Sequence, residues 1–66
     1  MKNSLYRKAI VDGTAKDFLM KIAEESKANG FSDDYFINEA EKNAGDLLNF
    51  DLEDIIYEVV ETVWRY

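Results

Sequence analysis

The chain has 66 residues, 47% of them hydrophobic, with no cysteine, histidine or proline and a formal net charge of −6. That length holds a single domain, residues 1–66, around one core; without thiols or imidazoles it has no disulfide framework, no zinc site of the usual kind and no imidazole for acid–base work near neutral pH. The apolar content argues against disorder, no apolar run approaches the roughly 20 residues of a bilayer span, and the opening MKNSLYRKAIVDG shows no secretory pattern, so the expected location is the cytoplasm.

Glycine occurs only at 13, 30 and 45, and the chain reads as helices punctuated by those three positions. The first segment, Ser4 to Val11, places Leu5, Tyr6, Ala9 and Ile10 on one helical face; its short length and its Ile and Val also allow an extended arm. Asp12-Gly13 ends it. Thr14 is then the expected N-cap of a helix running to about Asn29, with Asp17 in the first turn, where the helix dipole favours negative charge. Its apolar stripe is Ala15, Phe18, Leu19, Ile22 and Ala23. Gly30 supplies a left-handed C′ residue, with Phe31 as the apolar C″ residue of a Schellman stop. Ser32 is the next N-cap, and Phe36 at N4 is expected to close a hydrophobic staple with Phe31.

The third helix presents Phe36, Ile37, Ala40, Ala44, Leu47 and Leu48 on one side. The stripe stays in phase across Gly45, so the helix is expected to continue to about Asn49, with a break at the glycine as the alternative. Asp51 is the expected cap of a last helix from Leu52 to the end of the chain, with a second staple between Phe50 and Ile55. That helix is rich in β-branched residues, yet Asp54, Glu58, Glu61 and Arg65 recur at helical spacing. Leu52, Ile55, Ile56, Val59 and Val63 form its stripe, which Tyr57, Val60 and Trp64 widen to about half the circumference, beyond the roughly 100° a surface helix needs. Such a helix either lies centrally or offers its shoulder to a partner. The expected fold is all-α, a compact bundle of three to four short helices, with Phe18, Leu19, Ile22, Phe36, Leu47, Ile55, Ile56 and Val59 at its centre.

No nucleophile–base pair or phosphate-binding glycine loop is present, and Ser4, Thr14, Ser26, Ser32 and Thr62 read as caps or surface positions. A raised-pKa carboxylate needs a pocket that a domain this small has little room to build, so no enzyme activity is expected. Asp33-Asp34 and Asp51-x-Glu53-Asp54 lack the spacing of a calcium loop and lie where capping and the helix dipole favour acids. No metal or other cofactor is implied.

Between residues 33 and 61 there are ten carboxylates and a single cation, Lys42. The second and third helices with their Gly30 turn resemble in outline a helix-turn-helix, but a recognition helix opening Ser32-Asp33-Asp34-Tyr35 would be repelled by phosphate, so direct nucleic-acid binding is not expected. Along the last helix, Asp51, Asp54, Glu58 and Glu61 make a ridge roughly 15 Å long. With Asp33, Asp34, Glu39 and Asp46 added, its charge spacing approaches that of a phosphate strand, one charge per about 3.4 Å. Tyr35 shares a face with Glu39, Lys42 and Asp46 and offers an amphipathic contact. These nine residues are the candidate partner surface, and a larger protein with a basic surface is the expected partner.

In composition, though not in any motif, the chain is similar to the small acidic, cysteine-free helical inhibitors that phages and other mobile elements direct against nucleic-acid-handling enzymes. That likeness implies an inhibitor whose carboxylates block a basic nucleic-acid-binding groove. The competing expectation is a self-assembling structural or regulatory subunit, a homodimer formed through Tyr57, Val60 and Trp64, since domains of this size often need oligomerisation for stability.

Overall fold

Four α-helices follow one another in a computed structural model that describes the backbone of residues 2–65 and the side chains of residues 4–65. They are α1 (Lys2–Asp12), α2 (Ala15–Ala28), α3 (Asp33–Ala44) and α4 (Phe50–Trp64), with one 3-10 turn at Gly45–Leu47. The chain is an all-α bundle. The α4 helix lies chiefly against α2 and also along α3, while α1 packs on α2, α3 and the 3-10 turn.

The corner between α2 and α3 follows the local chemistry of its sequence. The Phe31 N–H donates to the Ser26 carbonyl and the Gly30 N–H to the Lys27 carbonyl, both at 3.0 Å, which is the complete Schellman pair. Gly30 has φ +86°, a conformation in which a Cβ would be strained. Two residues on, the Ser32 hydroxyl accepts the Tyr35 N–H at 3.2 Å and satisfies a free donor of the first turn. The staple differs from expectation: Phe31 stacks on Tyr35, centroids 4.3 Å apart, while Phe36 turns inward against Trp64 at 5.4 Å. At N4 the side chain faces the core, and α4 supplies it a larger ring than Phe31 could.

Three further expectations are corrected. First, α3 does not run to Asn49. It stops at Ala44, and Gly45 takes φ +53° and ψ −122°, which turns the chain so that Leu47 and Leu48 both pack at the edge of the core. Second, Asn49 rather than Asp51 caps α4. Its side-chain oxygen accepts the Leu52 N–H at 2.8 Å, so α4 begins at Phe50. Asn and Asp are equally good caps, and Asp51 remains in the first turn, where its charge suits the dipole. Third, Phe50 is no staple: it is 86% exposed. At the start of the chain, α1 is a helix and not an arm, but only Tyr6 and Ala9 of its expected face are buried, because α1 meets the bundle along a narrow seam. The Thr14 side chain makes no capping bond; its N–H donates to the Ala9 carbonyl at 2.8 Å and closes α1 instead.

Leu19, Phe36, Ile56 and Val59 are the largest fully buried side chains. Phe18, Ile22, Leu47 and Ile55 pack around them partly buried, and Tyr6, Leu52 and Val60 complete the core. Ala23, Ala40 and Ala44 are buried where helices meet; short side chains at a contact let helix axes approach closely. The Tyr6 ring meets Phe18 edge-on at 5.0 Å. At the far end of α4 the Lys27 ammonium donates to the Val63 carbonyl at 2.7 Å, placing a cation on free C-terminal carbonyls where the helix dipole favours it.

Candidate functional site

Burial of Leu52, Ile56, Val59 and Val60 fixes the rotation of α4. At 100° per residue, Asp51, Asp54, Glu58 and Glu61 then fall on the opposite side, and all four are exposed. One of them has a cation: Lys16, from the first turn of α2, bonds Glu58 at 2.6 Å. Glu58 and its charge hold the Lys16 ammonium above its usual pKa. Among the described residues Asp51, Asp54 and Glu61 have no ion-pair partner, and the only other ion pair is Lys8–Asp12 on α1. Both side chains of the Lys16–Glu58 pair are about half exposed, so the bridge is screened by solvent and yields easily to a competing cation.

The α3 carboxylates do not extend this ridge into one row. The Asp33 carboxylate accepts the Asp34 N–H at 2.8 Å in the first turn of α3, at the end of the bundle where Trp64 meets Phe31. Asp46 is exposed on the 3-10 turn beyond the other end of α3. Glu39 is half-buried and lines a groove with Tyr6, Phe18 and Ile22 whose lining includes no α4 residue. Tyr35 is exposed but engaged in its stack on Phe31. The α4 ridge therefore stands alone, with its charges about 5 Å apart along the helix, sparser than the roughly 3.4 Å of a phosphate strand.

No known protein family, curated protein or solved structure matches this chain.

The apolar shoulder of α4 is divided. Val60 is buried in the core, and Trp64 packs on Phe36 while its indole N–H donates to the Phe31 carbonyl at 3.3 Å. Val60 is thus satisfied within one chain, Trp64 largely so, and Tyr57, 50% exposed, is left outside. Sequence reasoning missed Phe50, which follows Tyr57 at a seven-residue interval and shares its side of the helix. The spacing 50, 57, 64 carries that signal, which a staple role for Phe50 masks.

Among the described residues no charged side chain is buried, no group of three or more acidic residues is placed to hold a metal ion, and no helix is long and apolar enough to cross a membrane. The chemistry on offer at the surface is charge and aromatic contact.

Proposed function

We propose that the chain is a protein-binding module whose α4 outer face, Asp51, Asp54, Glu58 and Glu61, engages a basic surface on a larger protein. In its sharper form the reading makes it an inhibitor that occupies a nucleic-acid-binding groove. The observation that carries this is the rotation of α4, which sets four carboxylates outward along one helix with a single, half-exposed lysine to offset them. Phe50 and Tyr57 flank the same face and supply the kind of aromatic anchor on which interfaces depend. The test is calorimetry between the chain and a nucleic-acid-binding protein isolated on it from the native host, repeated at rising ionic strength. Affinity should fall steeply with salt, and the triple reversal of Asp54, Glu58 and Glu61 to lysine should abolish binding with the helical circular dichroism unchanged. An affinity indifferent to salt overturns the reading.

Self-assembly is the second reading, favoured by the exposure of Phe50 and Tyr57. It requires two copies of the ridge to approach, against like-charge repulsion. Light scattering across the micromolar range separates the two readings.

A further inference from the structure

An open groove of about 300 Å³ runs between α1, α2 and α3, with no α4 residue in its lining. Its floor is apolar: Phe18 and Ile22 from α2 and Phe36 from α3, with Leu5 of α1 at one edge, itself 58% exposed. Glu39 stands on the α3 rim. Beyond it the groove opens into a second hollow of about 280 Å³ that shares Ile22 and Glu39 and adds Glu25 and the stacked rings of Phe31 and Tyr35. Two carboxylates line this combined groove, and none of its lining residues is a lysine or arginine.

Glu39 is half-buried and Glu25 exposed, and neither has an ion-pair partner among the described residues. A cation brought by a ligand would give these carboxylates a charge-assisted partner beside the apolar floor. The aromatic wall adds to the attraction, since ring faces favour guanidinium and ammonium groups. The groove is matched to an occupant that carries an apolar side chain beside a positive one. We propose that it binds a short segment of another protein in which a leucine-like side chain fills the floor and an adjacent arginine or lysine pairs with Glu39. This second surface is independent of the α4 ridge, none of whose residues line it.

The probe is N-acetyl-leucyl-arginine amide, titrated to millimolar concentration into the isotopically labelled chain and followed by amide chemical shifts. Saturable shifts are expected at Ile22, Ser26, Ala40 and Asn43. Replacing the arginine of the peptide with glutamate, or making Glu39→Gln, should weaken binding about tenfold, the loss expected for one charge-assisted hydrogen bond. Leu5→Ser, at the exposed edge, should weaken it separately and guards against an unfolded Glu39 variant. Glu58→Lys should leave the titration unchanged, so that failure here and failure of the ridge reading are told apart. Equal binding of the glutamate peptide, shifts confined to α4, or no saturable shift each overturns the proposal. Groove shifts that grow with protein concentration in the absence of peptide would assign the site to a second copy of the chain and overturn it as well.

Discussion

Phe36 and Phe50 are the same residue type in opposite environments, and truncating each tests the helix rotations on which every surface argument depends. Phe36 is 1% exposed, lies against the Trp64 ring and belongs to the central cluster with Leu19, Ile56 and Val59. A buried aromatic removes about 150–250 Å² from water, worth about 4–6 kcal/mol at ~25 cal/mol per Å², and measured Phe→Ala losses in cores run to about 3–5 kcal/mol. At about 0.05–0.15 kcal/mol per residue, a chain of 66 residues has roughly 3–10 kcal/mol in total. Phe36→Ala should therefore bring the protein to the edge of unfolding or past it. Phe50 is 86% exposed, and Phe50→Ala should change stability by no more than about 0.5 kcal/mol. Urea melts followed by far-ultraviolet circular dichroism read both, with midpoints compared at equal m-value. A harmless Phe36→Ala together with a damaging Phe50→Ala would refute the assigned rotations of α3 and α4.

The α4 cap can be checked in the same assay: Asn49→Ala should cost about 1 kcal/mol, while Asp51→Ala should cost distinctly less because Asp51 contributes only through the dipole. Tyr6 gives a pH dependence. Burial holds its hydroxyl above the ordinary tyrosine pKa; a hydrogen bond with Asn43 works against the shift and the charge of Glu39 adds to it. The folded state thus keeps this proton longer than the unfolded state, so Tyr6 leaves stability flat below about pH 10 and lowers it as pH rises from there through the folded pKa. Tyr6→Phe should remove that alkaline decline, as read by urea midpoints across the alkaline range.

Much of the fold is written in short-range chemistry. The Asn29-Gly30-Phe31-Ser32 corner is legible because the backbone and capping hydrogen bonds that form the turn join residues at most five apart. The break at Gly45 is not, because the apolar stripe stays in phase across it and the decision depends on where Leu47 and Leu48 land against distant helices. Asn49 and Asp51 compete as nearly equal caps, and neighbouring sequence alone does not rank them. Of the surface, the α4 ridge is visible as a period. The position of Glu39 is not, since its groove is assembled from three helices whose relative rotations are tertiary facts.

Trp64 is the single tryptophan of the chain, and its place at the last turn of α4 separates two stages of folding. Its ring reaches Phe36, and its indole hydrogen bond to Phe31 joins residues 33 positions apart. Intrinsic fluorescence therefore times one event, the closing of α4 over the α2–α3 corner. Circular dichroism reports helix wherever it forms first. The corner closes over a few residues, whereas the docking must pay the entropy of a much longer loop. A stopped-flow experiment on the unmodified protein can thus follow the two stages by two signals, with no dye or engineered probe.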